Sequence, residues 1–433
     1  MTWALRGRLG GGAPDCWQAH EGAYYRTRPI PSQGGLSEAT IPQMSVRSQR
    51  STWFDYVVVA AGIASVALLV IHFVGTHYAV RNDFATSWTV SHLLWQGRLD
   101  DIYDPSRFEA LYVALFGKNP GDFARFWPYP PNALFLAAPL ALLPSYLSYL
   151  AWCIVTLALF AASIRSFFGD NRRVVMLALA PSSCANIIMG QTGFLTAALL
   201  VGGLAMIDRR PLAAGLLFGL LSFKPQLGLM LPLALAAARL WKPFVAAALT
   251  ALVVVVASAA VFGIEAWRNY LTVTVPFELD YAAHAAGPFI LKAPTVFVAA
   301  RLIGAPANLA YLLQIVALLA AAGVVIWAFR RMHERRSQAA VLLVGTALAS
   351  PHLHVYDLSI VSVASVILAE GARAQAPDFW ERLTITLAWV FPLAVLALLT
   401  MHNLEVPHDP YVLAALAPLM TALLLCYIVA RLG

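Results

Sequence analysis

The sequence predicts an all-α, polytopic membrane protein with a long first outer loop bearing amphipathic helices, and three observations predict it. Hydrophobic residues make up 60% of the 433 positions and charged residues only 12%, against roughly 25% charged in soluble domains. The mean hydropathy is +0.71. Apolar residues fall in long runs between polar, Pro or Gly breaks, and basic residues gather in those breaks. Lipid therefore replaces water around most of the chain, which excludes a soluble enzyme.

Residues 1–50 are polar and rich in Gly, Pro, Arg and Ser, with no apolar period, and read as a disordered cytoplasmic tail ahead of a membrane domain over 51–433. They hold no short apolar core of the kind a signal peptide carries. Met44 precedes the first span and is the expected true start, residues 1 to 43 then being an over-extension. Apolar runs follow at 55–75, 146–168, 174–189, 191–207, 211–223, 226–238, 243–262, 307–329, 338–350, 357–370, 383–401 and 411–430, about 12 transmembrane helices. A crossing needs about 20 residues, so 211–223 and 338–350 must extend through their breaks or enter as bent, partly inserted helices lining a cavity. Segments 131–143 and 291–304 would upset the charge parity as crossings and read as re-entrant or surface helices.

The net charge of +7 resides in small groups: Arg172-Arg173, Arg209-Arg210, Arg239 with Lys242, and Arg330-Arg331 with Arg335-Arg336. Cytoplasmic loops carry such an excess, so the charge reads as topology and not as nucleic-acid binding. With the N-terminus inside, Gln191, Lys224, His352 and His402 fall on the outer side. Cys16, Cys153, Cys184 and Cys426 contain no C-x-x-C pair and imply neither a metal nor a disulfide framework.

Two outer loops are long. Residues 76–130 hold Arg81-Asn82-Asp83-Phe84, an expected helix over 85–96, Asp100, Asp101 and Asp104, and Trp127-Pro128-Tyr129-Pro130-Pro131. Residues 263–290 hold Trp267, Arg268, Tyr270, Glu278, Asp280, Tyr281 and His284. Such aromatic, amphipathic segments lie in the headgroup layer and would frame a site open to lipid and periplasm. Trp88, Trp95 and Trp127 read as interface anchors or sugar-stacking platforms. The double proline after Tyr129 fixes the loop's return to the membrane.

Polar breaks on the same side supply a candidate pocket: Gly190-Gln191, Lys224-Pro225-Gln226 and Pro351 to Asp357. Each residue has two readings. Asp83 is a general base for a hydroxyl, or a surface ion pair with Arg81 that closes a helix end. Lys224 binds a phosphate, because a lysine at such depth is costly unpaired, or it snorkels to the interface. His352 and His354 contact a donor or pack within a Pro-broken loop; Asp357 orients a histidine or caps the next helix. Gln191 and Gln226 contact a donor or bond between helices. Arg81, Tyr129 and Asp104 stand on the acceptor side or shape the loop, and Asp100, Asp101 and Asp104 cap turns.

The order of Asp83, Gly97 with Tyr103-Asp104, Tyr129-Pro130-Pro131, Gly190-Gln191, Lys224-Pro225-Gln226 and Pro351–Asp357 resembles glycosyltransferase family 87 over roughly residues 50 to 430. These are polyprenol-phosphate-mannose-dependent mannosyltransferases and relatives in the glycosyltransferase C superfamily. The resemblance implies inverting transfer of a hexose, mannose first with arabinose or glucose open, from a polyprenyl-phosphate donor to a glycolipid or glycan hydroxyl. It also implies the periplasmic face of a bacterial inner membrane as the location, membrane lipids as surroundings, and Asp83 as the base. Lys224 with His352 or His354, together with Gln191, Gln226 and Asp357, would meet the donor's phosphate and sugar. No D-x-D cage is evident, so a metal-independent reaction is expected, although Asp100, Asp101 and Asp104 offer oxygens that suit Mg or Mn. The rival is a transporter or flippase of lipid-linked sugars, which commonly shows inverted repeats; the long first outer loop has no counterpart near mid-chain. A non-catalytic scaffold would not require an acid, a lysine and histidines facing one compartment.

Overall fold

In lipid every backbone N–H and C=O must be bonded within its own segment, so apolar runs become helices. The computed structural model describes residues 53–75, 82–117, 125–284, 292–373, 377–403 and 411–432, and all regular structure among them is helical. The tail 1–50, with Cys16 and Met44, and also Arg81, lie outside the described residues.

Five described helices are long and apolar enough to cross a membrane: Trp53–Val74, Ser145–Phe168, Trp241–Phe262, Ala307–Arg331 and Phe379–Met401. Tyr411–Leu432 is long but carries Pro418. The other expected crossings are short or interrupted. The 174–189 run divides into Asn171–Ala178 and Pro181–Met189, because Pro181 drives Ala180 to an extended ψ of 147°. The 226–238 run becomes Pro225–Gly228 and Met230–Ala237, and 211–223 ends in a 3₁₀ turn, Leu221–Phe223, after the helix Pro211–Leu220. Segment 131–143 is a chain of short helical turns, and 291–304 contains the helix Val296–Leu302.

Gly193–Met206, Arg335–Ala349 and Ser359–Arg373 have 14, 15 and 15 residues, about 22 Å against a hydrocarbon core of about 30 Å. Arg335–Ala349 is buried from Ser337 onward and meets protein on all sides. Its neighbours supply what lipid cannot. Gln314, on Ala307–Arg331, accepts from the Phe297 N–H at 3.1 Å and donates to the Leu348 and Ala349 carbonyls at 3.1 and 3.2 Å. One amide thereby bonds the start of one helix and the end of another, groups that helix ends leave unmet. Asn186 likewise links a helix start to another segment, accepting from the Phe194 N–H at 3.1 Å and donating to the Tyr356 carbonyl, in the turn ahead of Ser359–Arg373, at 2.7 Å.

Pro211–Leu220 lies close against Trp241–Phe262 through Gly215 and Gly219. A Cβ at either position would come within 2.5 Å of atoms of Ala246 or Ala247. Small residues four apart let helix backbones approach this closely.

The basic groups gather at one end of the helices. Arg172 pairs with Asp55, Arg173 with Glu370, Arg336 with Glu370 at 3.6 Å, and Arg335 with Asp208 at 2.8 Å. Gln191, His352 and Asp357 flank the opposite ends of those same three short helices.

Candidate active site

Asp83 opens the helix Asp83–Trp95, where a carboxylate meets the positive end of the helix dipole. Its neighbours fix it in place. The Asn82 side chain donates to the Ile188 carbonyl at 3.3 Å, and the Phe84 ring packs edge-on against Tyr149 at 5.7 Å. Gly190 ends Pro181–Met189 with φ +61°, and a Cβ there would lie 2.6 Å from the Phe84 Cβ. Only glycine combines that backbone with that contact.

Asp83 faces a cavity of about 330 Å³, walled by the first turn of its helix, residues 125–130, Gln191, 223–226, 270–282, 292–298 and the 351–356 turn. The stretch 264–284 bends into this wall through a π-helical turn, Tyr270–Thr274, and both Tyr270 and Glu278 line the space.

Two cations converge on a single oxygen of the acid. Arg125 Nη1 donates to Asp83 Oδ1 at 2.9 Å, and Lys292 Nζ stands 3.6 Å from the same atom. Burial raises the Asp83 pKa, but Lys292 and Arg125 outweigh burial and hold it at about 2. Arg125 also lies over the Tyr112 ring, 5.3 Å from its centre. Neither cation stands out in the sequence. Their sequence signals are weak: Arg125 precedes the Trp127–Pro131 motif, and Lys292 falls in a segment expected to be re-entrant or a surface helix.

On the cavity wall His352 Nδ1 lies 3.4 Å from Glu278 Oε1. Burial raises the Glu278 carboxyl, with His352 pulling the other way. His354 stacks on Tyr356 at 5.3 Å, and burial, aided by the Lys224 ammonium, lowers its pKa to about 3. It is neutral at physiological pH.

Lys224 is 2% exposed, and its ammonium donates to both oxygens of Asp357 at 2.7 and 2.8 Å. Lys224 also lines the cavity, and its ammonium has an internal counter-ion: a charge this deep needs a negative partner whether or not a ligand is present. Asp357 also accepts from the His354 backbone N–H at 3.2 Å and lies behind the wall, not in it. The pair braces the start of Pro225–Gly228 against the turn Val355–Leu358.

The remaining expected residues divide cleanly. Gln191, Gln226 and Tyr129 line the cavity, with the Tyr129 hydroxyl donating to Gln191 Oε1 at 3.2 Å. Asp104 does not line it: its carboxylate caps Pro105–Phe116, accepting from the Ser106 and Arg107 N–H groups at 3.0 Å, as the capping reading expects. Asp101 pairs with Arg98 at 2.7 Å and Arg107 at 3.3 Å. Among the described residues no group of three or more His, Cys, Asp or Glu side chains is placed to hold a metal ion. Trp88 and Trp95 donate to the Leu143 and Ala138 carbonyls, whereas Trp127 is buried in the cavity wall.

Residues 127–351, more than half of the chain, match the family model of glycosyltransferase family 87. The matched stretch includes Tyr129, Gln191, Lys224, Gln226, Glu278 and Lys292; Asp83, Arg125, His352 and His354 flank it. No curated protein and no solved structure matches the chain.

Proposed function

We propose, from the premise that this chain belongs to glycosyltransferase family 87, that it passes a hexose, mannose first, from a polyprenyl phosphate to an acceptor hydroxyl with inversion. The observation that supports this most is the meeting in one cavity of a fixed carboxylate, Asp83, and two cations, Arg125 and Lys292.

A sugar hydroxyl is a poor nucleophile, so Asp83 accepts its proton as the oxygen attacks the anomeric carbon from the face opposite the phosphate. The new C–O bond forms while the bond from the anomeric carbon to the phosphate oxygen breaks. That electron pair stays on the departing polyprenyl phosphate, which gains a second negative charge. Arg125 and Lys292 stabilise the gain, as fixed cations do best in a site shielded from water. Gln191, Gln226 and the Tyr129 hydroxyl offer donors and acceptors to the sugar, and His354 or His352 offers a further contact. Lys224 keeps its positive field at the wall while Asp357 secures it. This reading needs no metal.

Phe223, Leu279, Phe297 and Val298 are apolar lining residues of the cavity and suit the first isoprene units. The gathering of arginines at the far helix ends supports a cytoplasmic location for those ends and a periplasmic one for the cavity, in a bacterial inner membrane. The acceptor would be a glycolipid or glycan presented there.

Purified protein in proteoliposomes, given polyprenyl-phosphate [14C]mannose and a glycolipid acceptor, should release polyprenyl phosphate and label the acceptor. Asp83→Asn should fold and abolish both. Labelled lipid that only changes leaflet, keeping its sugar, would overturn the reading in favour of a flippase.

A further inference from the structure

The geometry around Asp83 has a cost for a base. Both cations point at Oδ1, and the three side chains are only 15 to 18% exposed, so little water competes for them. A carboxylate oxygen that already accepts from a guanidinium and faces an ammonium is a poor proton acceptor. The Arg125 guanidinium rests over Tyr112, and the Lys292 backbone is tied to the neighbouring turn, its carbonyl accepting from the Val355 N–H at 2.8 Å.

We propose that the donor's phosphate releases the base: it draws Arg125 and Lys292 away from Asp83, so that the carboxylate becomes a competent proton acceptor only when a donor occupies the cavity. This rests on the transferase reading above and adds a dependence of the base on the donor. Charge bookkeeping favours it. The empty trio carries one net positive charge, which the single negative charge of a phosphodiester donor cancels. After transfer the phosphate holds two negative charges, Asp83 is neutral with the acceptor's proton, and the sum is again zero. Departure of the polyprenyl phosphate returns both cations to Asp83, which expels its proton to solvent and resets the site. A donor-free enzyme therefore holds its base silent, and the donor binds before the acceptor is activated.

The test is a competition. If carboxylate and phosphate share the two cations, removing the carboxylate must strengthen phosphate binding. Titrating a short-chain prenyl phosphate into the full-length protein in nanodiscs, Asp83→Asn should bind at least about tenfold more tightly than wild type. Lys292→Met should bind more weakly than wild type. Asp83→Ser removes the same charge with a different shape and should show the same tightening, which guards against a folding defect in either variant. Unchanged or weaker binding in both Asp83 variants would overturn the release mechanism. If that result came with wild-type turnover of the labelled donor, the transferase reading would stand without the switch. Wild type that neither binds the prenyl phosphate nor turns over the donor would remove the reading and the switch together.

Discussion

Lys224 and Asp357 make the sharpest energetic prediction. Their side chains are 2% and 0% exposed, and both carboxylate oxygens accept from the ammonium, at 2.7 and 2.8 Å. Lys224→Met leaves a buried carboxylate without its counter-ion, and Asp357→Leu leaves a buried ammonium; each should cost about 3–5 kcal/mol. The double variant removes both desolvation costs along with the attraction. It should lose only about 1–2 kcal/mol, mostly the acceptor for the His354 N–H. The two substitutions therefore couple by at least about 3 kcal/mol. Equilibrium unfolding in mixed micelles, followed by helicity, measures all four corners of the cycle. Additive effects, or single losses below about 1 kcal/mol, would mean that the pair does not brace the wall. The same cycle separates brace from ligand contact: a stable double variant that still binds prenyl phosphate supports the brace, and one that is stable but does not bind returns Lys224 to the phosphate.

Asp83 has an ordinary pKa of 3.8 that falls to about 2 in the folded protein. A depressed pKa stabilises fully above the ordinary value and loses its effect as pH falls through the folded one. Acid titration of stability should accordingly be shallower in Asp83→Asn than in wild type between about pH 4 and 2. Gly190→Ala forces a side chain into φ +61° and a 2.6 Å approach to Phe84; it should cost about 1–3 kcal/mol and lower kcat by displacing the residue beside Asp83. Steady-state kinetics and thermal unfolding check both effects. Gly219→Leu drives a branched chain into the Ala247 carbonyl and Thr250, which its Cβ alone would approach to 2.5 Å. Stability should fall in unfolding titrations, while Leu216→Ala, half-exposed on the same helix, should leave it nearly unchanged.

The helical class was legible because composition and run length settle what lipid allows. Whether each run crosses was not, since hydropathy cannot tell a lipid-facing run from one sheathed in protein: Ser337 to Ala349 overlaps a run that reads as a crossing but is buried on every side. Prolines 181 and 225 mark the breaks, yet whether a break ends a crossing depends on partners such as Gln314 and Asn186. Asp104 was readable locally, an acid one residue before a proline at a helix start. Asp83, Gln191, Lys224 and His352 could be grouped because their breaks alternate onto one side. What no spacing revealed was pairing. Arg125 meets Asp83 across 42 positions and Lys224 meets Asp357 across 133. A sequence shows where a charge sits, and only the fold decides which charge answers it.

If the sugar leaves its phosphate inside the cavity shared by Asp83, Arg125 and Lys292, the reacting atoms of the donor must sit there. A cryo-EM structure with a non-cleavable polyprenyl phosphonate mannose would locate them. The phosphonate should lie within about 3 Å of Arg125 and Lys292, with the anomeric carbon turned toward Asp83 and the isoprene chain leaving along Phe297 and Val298. A phosphonate seated at the arginine-rich helix ends, or a sugar pointing away from Asp83 into lipid, would rule out transfer at Asp83.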